Sequence, residues 1–395
     1  MRGHIVKRGK NSYSLAISMG KDTNTGKYKY HWETVKGTKK DAEKRLSELL
    51  HQLDTGRFMK PSKTTLGEYL GRWLKDYAMP NLAPKTTEGY EHIISRHINP
   101  SLGNIAMAQL KPEHLQRYYS EKINSGRCKG VGGISAQTVR HHHTVLHKAL
   151  QTAVEWMLLP SNVADAVRPP RVQRPEMQTW GEDEITRFLE SAKNSPYYVL
   201  FYIALFTGMR RSELLASRWL DIDFVFGQIY VSRSLHVLKD GKVVFRSPKT
   251  ASARRTVALP PSAILLLKEH KEKQALERAM QGISLSDDDL VFSHLDGKPL
   301  LPNTITHAWI KLVRRTGLKS IRFHDARHTH ASLMLKQGTH PKIVQERLGH
   351  ASIQITLDTY SHIAPGLQEA AANRFDEAFS NRYNKRENEV IENHY

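Results

Sequence analysis

The chain has 395 residues, with 59 Lys+Arg against 39 Asp+Glu and a formal net charge of +20. That length holds about two to three domains of roughly 100–200 residues each, and that charge suits a polyanionic partner, nucleic acid ahead of an anionic membrane surface. The single cysteine, Cys128, excludes an intrachain disulfide and a cysteine metal cluster and suits a reducing cytoplasm.

The first eight residues contain no apolar signal core, and the longest apolar run, 197–206, is about half the length of a membrane-spanning helix. No membrane association is expected. Residues 1–60 read as a small β-rich unit. Residues 13–18 and 28–33 alternate in polarity, 22–27 form a turn, and a helix capped near Thr38 or Lys39 runs to about 53. This segment carries 14 Lys+Arg and 6 Asp+Glu, with aromatics set among the basic residues. That pattern suits a three-stranded sheet presented to a DNA groove; the plainer reading is a solvated small sheet.

Residues 59–63 read as a linker, and a helical unit spans 64–168. Leu66, Tyr69, Leu70, Trp73 and Leu74 share one helical face and belong to a core. Pro80, Pro84 and Pro100 punctuate several short helices, 130–133 is a loop, and a long helix runs over 135–158. Its His141, His142 and His143 point in different directions on a helix and make poor joint metal ligands, so a polar face near phosphate is expected. Residues 168–175, basic and proline-rich without periodicity, mark a domain boundary.

A second large unit spans 175–380. Thr179 with Glu182 resembles a capping box, and helices follow near 197–205 and 212–220. Residues 228–235 and 242–246 read as strands joined through Asp240-Gly241, with 255–259 a third strand. From 261 to about 379 the pattern is helical, and 381–395 is a polar tail. The expected fold class is α+β: mostly α with small β-sheets.

Four segments of this unit concentrate chemistry: Thr207-Gly208-Met209-Arg210-Arg211-Ser212-Glu213, Ser247-Pro248-Lys249-Thr250, His324-Asp325-Ala326-Arg327, and Leu348-Gly349-His350 followed by Thr359-Tyr360-Ser361-His362. Arginines, a lysine, histidines and a tyrosine, with no carboxylate pair, suit an anionic phosphate handled without metal. Paired guanidiniums hold nonbridging oxygens through forked hydrogen bonds and stabilise charge that changes during phosphoryl transfer. A tyrosine needs neighbouring cations or a base to act as nucleophile, and a departing deoxyribose oxygen needs a proton, which a lysine can give.

Arg210, Lys249, His324, Arg327, His350 and Tyr360 occur in the order seen in tyrosine recombinases, and the chain resembles the phage and conjugative-transposon integrases. The resemblance is strong over 175–370 and holds in outline over 64–170. It implies that the two arginines and two histidines bind or activate the scissile phosphate, that Lys249 is the general acid, and that Tyr360 forms a 3′-phosphotyrosyl link. Glu213 matches an acidic position and orients Arg210; alone it also reads as a helix surface charge. His350 and Tyr360 are ten residues apart where many members have nine. Spacing does not separate Arg210 from Arg211, though the family motif selects the first, and Lys239, Lys242, Arg254 and Arg255 stand near Lys249.

The resemblance further implies no cofactor, double-stranded DNA with core and arm sites as partner, a homotetramer on DNA, and DNA-bending or excision factors. It makes 1–60 an arm-type DNA-binding unit, 64–168 a core-binding (SAM-like) unit and 175–380 the catalytic domain. The stretch 367–379 either packs on a neighbouring protomer or caps its own domain. The rival readings are a type IB topoisomerase and a DNA-binding regulator that does not cleave; the basic N-terminal unit opposes the first, the full set of six residues the second.

Overall fold

The structure, a computed structural model, describes residues 3–21, 26, 28–54, 63–173, 177–248, 254–360, 372–373 and 375–377. Most of the expected 22–27 turn, most of the 59–63 linker, Lys249, Ser361-His362, most of 367–379 and the 381–395 tail lie outside the described residues. The chain divides into two compact units, Met1–Arg174 and Pro175–Tyr395. Among the described residues no helix is long and apolar enough to cross a membrane.

The first unit opens with an antiparallel sheet of β1 (Gly3–Gly9), β2 (Ser12–Lys21) and β3 (Tyr28–Lys36), with β2 central. Alternation sends Leu15, Ile17 and Val35 to one face, where they pack on Ala42, Leu46 and Leu49 of helix α1 (Lys39–Asp54). Thr38 and Asp41 close the start of α1: the Asp41 carboxylate accepts from the Thr38 amide at 2.8 Å and the Asp41 amide donates to Thr38 Oγ1.

The helical part of this unit has its own core around Leu66, Tyr69, Leu70 and Trp73, all buried. Helix α2 (Leu66–Trp73) runs through a π-helical turn into α3 (Met79–Asn81); α4 (Pro84–Ile93) runs likewise into α5 (Asn99–Leu102); α6 (Pro112–Ser125) and α7 (Ala136–Glu155) complete it. Pro84 opens α4 after an extended residue, where its missing N–H costs nothing, whereas Pro80 and Pro100 each follow a π-helical turn inside a continuous helical path. The histidine run on α7 does diverge, but not as one polar face. His142 is fully buried with Nδ1 2.9 Å from Tyr118 Oη, His143 meets Tyr119 Oη at 2.9 Å, and His141 meets Gln137.

The second unit is built on α8 (Glu182–Ala192), α9 (Tyr198–Thr207) and α10 (Arg211–Leu214), then two small sheets, then α11 (Pro261–Ala279), α12 (Pro302–Thr316), α13 (Asp325–Lys336), α14 (Pro341–Leu348) and α15 (Ile353–Tyr360). Trp180, Phe188, Phe201 and Trp309 cluster at its centre, with the two indoles stacked and the phenyl rings tilted or edge-on to them. Three local expectations change. The cap of α8 is Gly181, whose amide donates to Glu184 Oε2 at 2.8 Å, because Trp180 is drawn inward to the core. The expected 212–220 helix stops at Leu214. The expected 228–235 strand is two: β5 (Gln228–Val231) lies between β4 (Ile222–Asp223) and β8 (Arg255–Ala258), while β6 (Ser234–Val237) pairs with β7 (Val243–Arg246) as a separate hairpin.

Candidate active site

Helix α9 ends at Gly208, whose φ of +64° is the left-handed conformation that reverses the chain. A side chain there would also meet Leu348 and His330, so the turn needs glycine twice over. The reversal delivers Arg210 to the cap of α10. Its amide donates to Glu213 Oε2 at 2.9 Å and its Nη1 donates to Glu213 Oε1 at 2.7 Å. Arg211 turns the other way, to Pro302 O at 3.1 Å and to Thr306 Oγ1 on α12.

A second left-handed glycine, Gly349 with φ of +67°, ends α14. Helix ends leave carbonyls without intrahelical partners, at the negative end of the helix dipole. Here three arginines take three consecutive ones. Arg255 Nε donates to Arg347 O at 2.6 Å, Arg327 Nη2 to Leu348 O at 2.6 Å, and Arg210 Nη2 to Gly349 O at 3.5 Å. Arg327, on the first turn of α13, also donates from Nη1 to Gly208 O at 2.9 Å. The two glycine turns are thereby tied through one buried guanidinium.

Glu213 is the counter-charge of the cluster. Its side chain is 6% exposed and it also accepts from Arg255 Nη2 at 2.9 Å and Nη1 at 3.2 Å. Burial alone would raise its pKa, but Arg255 and then Arg210 outweigh it and hold the carboxyl below its ordinary range.

The histidines meet the same field. His324 immediately precedes α13 without a side-chain capping bond, and burial and then Arg327 lower its pKa. Burial, then Arg327 and Arg210, lower His350 to about 4. Its Nδ1 lies 2.8 Å from Thr356 Oγ1 on α15. Thr356 is fully buried, and position 360 comes one helical turn later on the same side of α15. The side chain of Tyr360 and all of Lys249 lie outside what is described.

Of the residues expected from sequence, Arg210, Glu213, Arg327 and His350 are brought together, with His324 at the head of the same helix as Arg327. Sequence reasoning missed three neighbours. Arg255, named only as a rival to Lys249, is 5% exposed and committed to Glu213 and Arg347 O. Arg347 donates from Nε to His330 Nε2 at 2.9 Å and from Nη2 to Phe206 O at 2.9 Å. His330 must accept on Nε2, so it is neutral and its Nδ1–H donates to Leu205 O; burial, then Arg347, push its pKa to about 3.

Residues 179–366 match the model of the phage integrase family, and residues 65–123 match that of the phage integrase N-terminal SAM-like domain. A tyrosine recombinase XerC-like protein of Caldanaerobacter subterraneus subsp. tengcongensis is 29% identical over 394 residues, 95% of this chain and 98% of that relative. The ICEBs1 integrase of Bacillus subtilis is 27% identical over 94% of this chain and 99% of its own length. Among solved structures, the Tn1549 transposon integrase in complex with a circular intermediate DNA superposes with a TM-score of 0.65 at 19% identity, over 80% of this chain and 99% of that one. A lambda integrase tetramer bound to a Holliday junction gives 0.56 at 19% identity, over 91% of this chain and 94% of that one. The last two establish likeness of fold.

Proposed function

The chain belongs to the phage integrase family and is a tyrosine-type site-specific recombinase of a mobile element, and from that premise we propose that Tyr360 is its nucleophile, served by Arg210, Lys249, His324, Arg327 and His350. The Tyr360 oxygen attacks a backbone phosphorus, its proton passing to a neutral histidine of the set, and a 3′-phosphotyrosyl bond forms as the bond to the 5′-oxygen breaks. Lys249 gives the proton that this leaving oxygen needs. A 5′-hydroxyl from the partner duplex then attacks the phosphotyrosine, its proton returning to Lys249, and Tyr360 leaves with the proton that the histidine held. One phosphodiester is exchanged for another, so bond energy is conserved and ATP has no step to drive.

The observation that carries this reading is the pair of guanidiniums on adjacent carbonyls, Arg327 on Leu348 and Arg210 on Gly349. Pre-set donors one peptide apart can face the nonbridging oxygens of one phosphate without reorganising during reaction. Glu213 fixes Arg210, and His324 and His350, neutral in the free protein, can hydrogen-bond the same phosphate. We assign Arg210, Arg327, His324 and His350 to phosphate binding and activation, and Glu213 to positioning.

Residues 1–60 bind arm-type DNA sites, 64–168 bind the core site, 175–380 catalyse, and 381–395 form a polar tail. The outward face of α12, with His307, Lys311, Arg314 and Arg315 exposed, adds a basic surface suited to phosphates. Four copies assemble on two duplexes, with DNA-bending and excision factors as further partners, in the cytoplasm at the nucleoid. A duplex carrying the recombination site, nicked beside the crossover, tests the reading. Wild type accumulates a covalent protein–DNA adduct that Tyr360→Phe does not form; tight binding without an adduct in the wild type refutes it.

A further inference from the structure

The sheet of the first unit has one face on α1 and one open. The open face carries a row that the recombination chemistry does not use. Tyr28, Tyr30 and Trp32 alternate along the edge strand β3 and are 58, 48 and 52% exposed. Large aromatics left this open on a small sheet mark an interaction surface. The central strand opposite them is low: Ala16 pairs with Trp32 and Ser18 with Tyr30. Trp32 is braced edge-on by His4 of β1, ring centroids 5.8 Å apart.

Charge closes the row at both ends. Lys21 Nζ sits 5.5 Å over the Tyr28 ring, and Lys36, exposed, falls on the same face by alternation. The one carboxylate of β3, Glu33, points to the other face, where Arg45 holds it at 2.8 Å. The open face therefore offers flat apolar edges between two cations and, among the described residues of its three strands, no acid.

We propose that Tyr28, Tyr30 and Trp32 are specificity-determining residues that read thymine C5-methyl groups in the major groove of duplex DNA. This rests on the reading of residues 1–60 as a DNA-binding unit and adds what that unit recognises. Three strands span about 10 Å between the outer two, and the major groove is about 12 Å wide. Alternate residues on a strand advance about 6.8 Å, which matches two base-pair steps of about 3.4 Å. Thymine alone among the bases presents a methyl group there, beside its O4 acceptor. Ring edges meet the methyl groups, the phenol and indole donors can reach O4, and Lys21 and Lys36 take the flanking phosphates.

The test selects binding sequences from a randomised duplex library with the full chain. Two variants run in parallel: Tyr28→Ser/Tyr30→Ser/Trp32→Ser, and Lys21→Ala/Lys36→Ala. The expected result is a thymine-rich class enriched by wild type, lost with the serine variant and weakened with the alanine variant. Rebuilding that class with deoxyuridine removes only the methyl groups, and should weaken wild-type binding about fourfold for each one contacted. If the class depends on the lysines but ignores deoxyuridine and the serine changes, the methyl reading is overturned while DNA binding by the unit stands. If neither variant alters any enriched class, the sheet is not a DNA-binding surface and both readings fall.

Discussion

Replacing Glu213 by glutamine removes one charge from the centre of the arginine cluster and leaves its shape. The carboxylate accepts from the Arg210 amide, Arg210 Nη1 and both terminal nitrogens of Arg255, at 2.7 to 3.2 Å. The Glu213–Arg255 arm is buried on both sides, and stripping one partner from such a pair costs about 3–5 kcal/mol. Arg210 is 35% exposed, and screening limits that arm to about 1 kcal/mol or less. Glutamine keeps an acceptor for the Arg210 amide but turns an NH2 toward a guanidinium. A loss of about 3 kcal/mol follows, or about 6–12 °C in Tm for a unit of this size. Arg210 also loses its orientation, and a misplacement of about 1 Å costs about 100-fold in rate. Nicked-substrate cleavage well below the melting temperature should therefore fall about 100-fold with DNA affinity nearly unchanged. Because the folded pKa of Glu213 is depressed, its stabilisation is present above the ordinary carboxylate range and lost as pH falls through the folded value; the glutamine variant should show a shallower acid limb. A variant that melts and cleaves as wild type would refute the role of this carboxylate.

Other outcomes are as specific. Gly208→Ala puts a Cβ 2.7 Å from Leu348 and 2.8 Å from His330 at a left-handed φ, and should cost about 2–4 kcal/mol in urea unfolding, with cleavage falling alongside. Burial depresses His328 and His350 to about 4 and His330 to about 3, so the unfolded chain takes those protons first. Stability of the second unit should drop between about pH 6.5 and 4, by up to about 4 kcal/mol per pH unit where all three contribute; a flat urea midpoint across that window would contradict it. Lys249→Ala should slow cleavage of an ordinary site about 100-fold or more, yet cleave near the wild-type rate when the leaving 5′-oxygen is sulfur, which departs without a proton.

The sequence made some of this legible because certain signals are local. The stripe Leu66, Tyr69, Leu70, Trp73 and Leu74 needs only helical period, and all five are buried. His324 and Arg327 fall in one short motif, and Arg210 follows a glycine whose left-handed turn is itself a local property. The strand expected over 228–235 failed for a tertiary reason. Ser232 and Arg233 look like strand residues, but Ser232 Oγ donates to Asp221 and Arg233 Nε to Ala216 O, and the chain changes sheets there. Arg255 could not be read at all, since its partners Glu213 and Arg347 are 42 and 92 residues away.

The same distance effect gives Leu348-Gly349-His350 a physical meaning that its letters do not show. The glycine ends α14 in a left-handed turn and exposes the carbonyls of residues 347, 348 and 349 together. Those carbonyls seat Arg255, Arg327 and Arg210, which come from a strand, a helix and a loop. Arg347, inside the same turn, reaches back through His330, Phe206 O and Ala258 O to the end of α9 and to β8. The turn thus collects donors from three separate elements, and the histidine that follows it lies in their field. A residue that binds phosphate through such a cluster needs no unusual neighbour in sequence. It needs a helix end with the right three carbonyls free.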